Sequence, residues 1–274
     1  MRRLFGGLHR VVGRSMARRR QYVFNEVAAL YDEVRPGYPQ SIVEAAIEQA
    51  ALPPGGSILE IGPGTGQITV AFAARGYAIV ALEPGEALAA LTARNCRDYP
   101  RVTVLNSSFE AWQARGQPFD MVLSAQAFHW IAPDTGCAKA ASVLKPGGAI
   151  ALVWHLDLSS DTPFWQATQP VYDAYFRPPQ ADTTVMSLGE RALVYAEAIR
   201  RCEAFNAPQE VRHRWEKTYT GADYLKLLHT YSDHRTLPEP NKTLFFEAIE
   251  KVIERFDGVV HRRFETLLLL ACRK

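Results

Sequence analysis

Three glycines at alternate positions, Gly62, Gly64 and Gly66, follow the apolar run at residues 57–61 and precede a second apolar run. Glycine lets a backbone turn sharply and lie close to a ligand. A helix opening directly behind such a turn favours a negative group. The pattern is GxGxG. The dinucleotide fingerprint GxGxxG needs a third glycine to pack helix on strand, and that place holds Gln67. No Gly-Lys-Ser/Thr follows, which excludes a P-loop. Glu60 stands two residues before the first glycine, and Glu83 closes the next apolar run at 77–82. A carboxylate there can accept the protons of both ribose hydroxyls, whether the nucleoside belongs to NAD or to another adenosine ligand.

More residues with chemical capacity stand behind the fourth and fifth apolar runs. Gln126, His129 and Trp130 follow the fourth, and His155 follows the fifth. Open α/β sheets bind ligands at that carboxyl edge. The ordinary titration range of His129 suits orienting or deprotonating an acceptor; the competing reading is that His129 and Trp130 pack to shape a pocket. His155 is pocket-adjacent by topology, or else a partly exposed strand-end histidine. Upstream, the stretch YDEVRPGYP carries Tyr31, Arg35 and Tyr38. Tyr31 and Arg35 could bind a carboxylate, or Arg35 could serve as a structural latch. Pro36 and Pro39 prevent this stretch from continuing as a helix. The histidines lack metal-ligand spacing, so no metal site is expected. Cys96, Cys137, Cys202 and Cys272 are far apart and read as reduced thiols.

Helix and strand alternate between residues 23 and 154. Helices are expected at 41–51 (with a capping box from Ser41 to Glu44), 66–75, 86–95 and 133–144. Strands are expected at 57–61, 77–82, 101–105, 119–124 and 149–154, with a Lys-Pro-Gly-Gly turn at 145–148. The strands are almost wholly apolar, as in a parallel sheet covered on both faces. The fold class is therefore α/β: a doubly wound, mostly parallel, Rossmann-like sheet. Residues 157–207 break the rhythm with four prolines and read as a cap insertion with a helix near 190–204. A strand at 211–220, helices at 222–231 and 242–256, and a strand at 263–273 follow, bringing the sheet to seven strands.

Taken in order, these motifs resemble class I S-adenosylmethionine (SAM)-dependent methyltransferases, in particular the methyltransferase type 11 group that includes trans-aconitate methyltransferase-like proteins. LEIGPGTG is similar to their first motif and ALEPGE to their second. FDMVLSAQAFHWI at 119–131 resembles the fourth-strand motif, LKPGGAIAL at 144–152 the fifth, and FNEVAALYDEVRPGYP at 24–39 the segment that opens the domain. The match runs over roughly residues 22–155, and less distinctively over the last sixty or so. The resemblance implies SAM as cofactor. Gly62, Gly64 and Gly66 would line its methionine part, Glu60 would position the loop or the amino group, and Glu83 would bind the ribose. Gln126 would contact the methionine backbone. Many members carry an acid behind the third strand that holds the adenine amino group. This chain has Asn-Ser-Ser-Phe-Glu at 106–110, leaving Ser108 to hydrogen-bond and Phe109 to stack on the purine or pack in the core. The segment with Tyr31, Arg35 and Tyr38 would fold over the site and, with His129, Trp130 and His155, contact a small-molecule acceptor, a carboxylate or a hydroxyl compound.

The chain has 274 residues, 47% of them hydrophobic, and a net charge of +2. Residues 1–20 hold seven arginines and no acid, whereas residues 21–274 hold more acids than bases. The folded body thus gives no support for a nucleic-acid surface. No apolar stretch approaches the ~18 residues of a membrane span. The basic segment reads as a flexible tail before a single domain at 21–274, as an organellar transit peptide, or as an extension upstream of a start at Met16. A cytoplasmic location is expected, with organellar import as the alternative. The leading functional expectation is methyl transfer by in-line displacement. A SAM-binding protein without catalysis, such as an assembly factor, is second, and an NAD-dependent oxidoreductase is third.

Overall fold

The computed structural model describes residues 28–114, 116, 118–176 and 187–274. The expected tail at 1–20, the first residues of the 24–39 segment and residues 177–186 of the expected cap lie outside the described residues. The first described elements are α1 (Ala28–Val34) and α2 (Gln40–Gln49). Then come β1 (Ser57–Ile61), α3 (Gln67–Ala73), β2 (Ala78–Leu82), α4 (Glu86–Asn95), β3 (Val102–Leu105) and β4 (Phe119–Ala125). They are followed by α5 (Pro133–Val143), β5 (Leu144–Asp157), α6 (Pro163–Tyr175) and α7 (Leu188–Arg201). The chain continues through β6 (Gln209–Thr220), α8 (Gly221–His229), α9 (Ser232–Arg235), α10 (Asn241–Glu254) and β7 (Val259–Cys272).

The strands form one seven-stranded sheet in the order β3-β2-β1-β4-β5-β7-β6. The first five are parallel, and β7 runs antiparallel between β5 and β6. Side chains alternate across the sheet with period two. Leu59, Ile61, Ile150, Leu152, Trp154, Leu267 and Leu269 face α5 and α7 on one side. Ile58, Ala149, Ala151, Val153, Leu268 and Leu270 face α2 and α3 on the other. Burial on both faces is why these strands read as unbroken apolar runs. A third apolar cluster joins α6, α8 and α10 through Phe164, Leu227, Phe245 and Ile249.

Several expectations are corrected. Ser41 does not cap α2: Pro39 occupies the cap, and the Ser41 hydroxyl lies 3.1 Å from His213 Nδ1. Glu44 instead accepts from Gln40 Nε2, one turn earlier. The expected turn at 145–148 is carried inside β5 as a register irregularity opposite β4. It is pinned there by the backbone pair Gly147 N to Arg273 O and Arg273 N to Gly148 O. A true capping box begins α7, where Ser187 and Glu190 bond each other's backbone. The helix α6 was not expected from sequence. Its Pro163 occupies the first turn, where a proline costs no hydrogen bond, and Thr162 caps it through Trp165 N. Pro170 is accommodated further along.

Trp154 is fully buried near the C-terminal end of β5, and its indole nitrogen has no hydrogen-bond partner. Trp154→Ala should therefore cost ~3–5 kcal/mol in chemical denaturation, through a cavity in the face shared with α5 and α7. Trp154→Phe removes the unpaired donor along with part of the volume and should cost clearly less. Equal losses would contradict the packing described.

Candidate functional site

Strand order reverses between β1 and β4, so the loops leaving those two strands open into one crevice. The first loop is the glycine turn. Gly62 has φ +67°, and a Cβ built there would collide with the Ala127 side chain of the second loop. Gly64 (φ +63°) would meet only the ring edge of Tyr31, at 3.7 Å. Thr92 on α4 donates to Gly64 O (2.7 Å), and Asn95 donates to Thr65 O (2.9 Å). In the second loop Gln126 also sits at positive φ (59°), rare for a residue with a side chain. Its amide is held by Val153 O at 2.8 Å. Backbone outliers of this kind cluster at ligand sites.

These loops open a cavity of about 1010 Å³. Glu83, 4% exposed, lines it and accepts from the amides of Gly64 (3.1 Å) and Gly85 (2.9 Å). Burial raises its carboxyl to about 7 despite those two bonds. Glu60 is fully buried and does not line the cavity. Neither of its oxygens has a hydrogen-bond partner within the geometry of such a bond, and burial lifts its carboxyl to about 8, with Glu83 adding to the rise. Gln67 Nε2 and His129 Nδ1 are further buried polar atoms without partners, on residues that line the cavity. Such orphaned groups mark the wall of a site built for a polar ligand.

The remaining sequence-derived residues fall into place unevenly. Ser108 lines the cavity, and its hydroxyl accepts from Ala111 N. Phe109 lines it while also belonging to the core beneath α5, with Lys139 Nζ 4.9 Å above its ring. His129 packs on Trp130, ring centroids 5.1 Å apart, and both line the cavity. Burial, reinforced by Arg191, pulls the His129 imidazole down to about 3, well below the range that suited it to proton removal. His155 is not a half-exposed strand-end residue. β5 continues past it, Tyr38 stacks on its ring at 4.6 Å, Trp215 packs against its edge, and it is 7% exposed. Thr266 Oγ1 bridges His155 Nδ1 (2.9 Å) and Trp215 Nε1 (2.7 Å).

Arg35 lines the cavity, yet two of its nitrogens are engaged: Nε donates to Thr230 Oγ1 (2.8 Å) and an Nη to Thr230 O (3.0 Å). Its plane lies between the rings of Tyr31 and Tyr231. Asn95 holds the other side of α1 through Asp32. The segment carrying Tyr31, Arg35 and Tyr38 is thus tied across the crevice to α4 and α8. Sequence reasoning missed one wall, formed by Asp157, Trp165, Tyr172, Tyr224, His234 and Arg262. Only Asp157 stands near a recognised motif. Among the described residues, no group of three or more His, Cys, Asp or Glu side chains is placed to hold a metal ion. No described helix is long and apolar enough to cross a membrane.

Residues 58–148, from β1 into β5, match the family model described as "Methyltransferase domain". The chain is 33% identical over 133 residues to an uncharacterized methyltransferase of Mycobacterium tuberculosis, covering 48% of this chain and 51% of that protein. It is 30% identical over 138 residues to an uncharacterized methyltransferase of Schizosaccharomyces pombe, covering 48% and 52%. The chain spans about half the length of the curated relatives it matches. Among solved structures, it is similar to a provisionally assigned type II methyltransferase from Anaeromyxobacter dehalogenans (TM-score 0.56, 23% identity, 86% of this chain and 97% of that one). It is also similar to a Haemonchus contortus phospholethanolamine N-methyltransferase in complex with phosphomonomethylethanolamine and S-adenosylhomocysteine (TM-score 0.52, 11% identity, 91% and 57%). The architecture is the Rossmann-like α/β fold of these methyltransferases.

The state of Glu60 gives a pH signature. A carboxyl raised from its ordinary 4.5 to about 8 on folding favours the native state below 4.5, and that advantage is lost as pH climbs through about 8. In the ligand-free protein, Glu60→Gln keeps the neutral shape and removes the titration. The variant should match the parent near pH 5 and exceed its stability by a few kcal/mol, in order of magnitude, by pH 8–9. Denaturation curves across that range check this; a gap independent of pH would refute it.

Proposed function

We propose that this chain is a class I SAM-dependent methyltransferase that moves a methyl group to a small-molecule acceptor by in-line displacement. The observation that carries this reading is the Glu83 carboxylate, fixed by the Gly64 and Gly85 amides at the switch point, beside a glycine turn at positive φ. The "Methyltransferase domain" match spans that turn and Glu83. The motifs quoted above favour the type 11 group, within which the acceptor is left open.

The residues present fit the cofactor. Glu83 would accept the ribose hydroxyls. Gly62 and Gly64 would let the methionine part lie against the backbone, with Gln67 and Gln126 bonding its polar atoms. Ser108 and Phe109 would flank the purine. Glu60, buried beneath the loop, would support it from below. When bound, SAM supplies a methyl group already activated on a sulfonium. The protein must then align the acceptor and exclude water. Tyr31, Tyr38, Trp130 and His155 would close over the acceptor. Arg35 acts chiefly as the latch that keeps the segment shut, because Thr230 already engages it.

Calorimetric titration tests the reading. SAM and S-adenosylhomocysteine should bind and NADH should not. Glu83→Gln should weaken SAM by about 10- to 100-fold, the loss of charge-assisted hydrogen bonds. NADH binding more tightly than SAM would overturn the proposal.

His129, held neutral, serves by hydrogen bonding and shape rather than as a base. His129→Asn should alter affinity but leave the shape of the pH–rate profile unchanged between about pH 5 and pH 8, the range in which an ordinary histidine titrates. Loss of a limb in that window would restore it as a base.

A further inference from the structure

The cavity wall built by α6, α8 and α9 carries a hydrogen-bonded chain that the cofactor reading leaves without a role. Tyr172 on α6 lines the cavity, and its hydroxyl lies 3.0 Å from His234 Nε2. His234 Nδ1 lies 2.8 Å from Asp233 Oδ1, and the same oxygen accepts from the His234 amide at 2.9 Å. An ionised carboxylate only accepts hydrogen bonds, so the proton of the neutral imidazole sits on Nδ1. Nε2 then has only a lone pair to offer, and the Tyr172 hydroxyl donates to it. The oxygen of Tyr172 keeps its own lone pairs for a donor in the cavity. Carboxylate, imidazole and hydroxyl in this order are the arrangement in which an imidazole takes the proton of a hydroxyl, leaving that oxygen free to take one from a neighbour.

His234 is buried, while the Asp233 side chain is 58% exposed and lines the same cavity, so the chain ends at a carboxylate in contact with water. The surroundings are aromatic: Trp165 lies 5.9 Å from the Tyr172 ring, and Tyr224 and Phe264 line the same wall. Arg262, the buried cation there, is already engaged by Asp157 and by the Tyr224 hydroxyl, which accepts from it at 3.1 Å. Arg35 is engaged by Thr230. A carboxylate acceptor would need no proton-accepting chain, because it is ionised at neutral pH. A hydroxyl acceptor does need one.

We propose that Tyr172, His234 and Asp233 form a proton relay for an un-ionised hydroxyl acceptor carrying an aromatic ring, a phenol in the first instance. This rests on the methyl-transfer reading above and narrows its acceptor. As the acceptor oxygen bonds the methyl carbon, the carbon–sulfur bond breaks and its electron pair stays on sulfur. The acceptor's proton passes to Tyr172 Oη, and the proton of Tyr172 passes to His234 Nε2. The positive charge lost at sulfur reappears on the imidazole, paired with Asp233, and leaves as a proton to water at the exposed end. Tyr172 touches the acceptor; His234 and Asp233 are positioning residues that act through it.

The test uses the full chain with SAM and a panel of phenols and aryl carboxylates, reading S-adenosylhomocysteine formed. Phenols should be methylated and aryl carboxylates should not. Tyr172→Phe should lower kcat by at least about 100-fold with KM nearly unchanged, the usual weight of a proton-transfer group. His234→Gln should likewise lower kcat with KM nearly unchanged, the split expected of a group that acts through Tyr172. The charged and titratable groups facing the relay are Asp233, Tyr231, Tyr224, Arg262 and His229. Nitrogen-15 spectra of the unmodified protein give a readout free of turnover: His234 should carry its proton on Nδ1, and p-cresol should shift its Nε2 resonance. A faster carboxylate acceptor, an undiminished Tyr172→Phe rate, a proton on Nε2, or no phenol turnover by a chain that binds SAM would each overturn the relay. Failure to bind SAM would overturn the methyl-transfer reading instead.

Discussion

No side chain fits at position 62. The backbone there lies at positive φ and presses against Ala127, so the loop leaving β1 and the loop leaving β4 meet with nothing but hydrogen between them. That contact sets the width of the crevice at the switch point. Everything that faces the cavity is placed relative to it. Thr92 and Asn95 hold the first loop from α4, Val153 holds the second from β5, and Glu83 reaches the Gly64 amide only because the turn lies as close as it does. The sheet supplies rigidity through apolar burial on both faces. The loops supply strain, and the packed scaffold beneath is what tolerates it.

A second consequence of this arrangement is electrostatic. Glu60 and Glu83 are both taken out of water near one another, and both carboxyls are pushed towards neutral pH. Of the two, only Glu83 lines the cavity, so its ionised form is the one a ligand could stabilise, while Glu60 links protonation to stability from beneath the loop. The histidines on the wall divide by surroundings. His129 and His155 are drawn down by burial, whereas His234 has a carboxylate on one nitrogen and a phenol on the other.

Legibility from sequence followed the range of the physics involved. The glycine turn, Glu83 and the five parallel strands are local signals: positive φ asks for glycine, double-sided burial asks for unbroken apolar runs, and each is written within a dozen residues. α4 runs over the expected residues for the same reason. Ser41 misled because a capping pattern was present but Pro39 already occupied the start of the helix. α6 escaped because Pro170 argued against a helix that tertiary contacts with α10 stabilise. His155 was misplaced because its burial comes from Tyr38 and Trp215, residues far away in sequence and joined to it only by the fold. Tyr172 and His234 were invisible for that reason too: sixty-two positions and several elements separate two atoms 3.0 Å apart.

The reversed strand β7 ties together parts of the chain made at very different times. Ala149 pairs with Cys272 and Asp157 with Phe264. During synthesis, the parallel half with its glycine turn is complete long before β7 emerges. Until then β5 is an edge strand, apolar and open to pairing with any other chain. Arg262 and Phe264, which help to close the cavity, also arrive with that strand. The half that carries the glycine turn can thus be shaped early, whereas the opposite wall depends on the most distant strand pairing in the sheet, a slow kind of contact to form. Vectorial growth builds a pocket with one finished wall first, and the second wall doubles as the guard against aggregation.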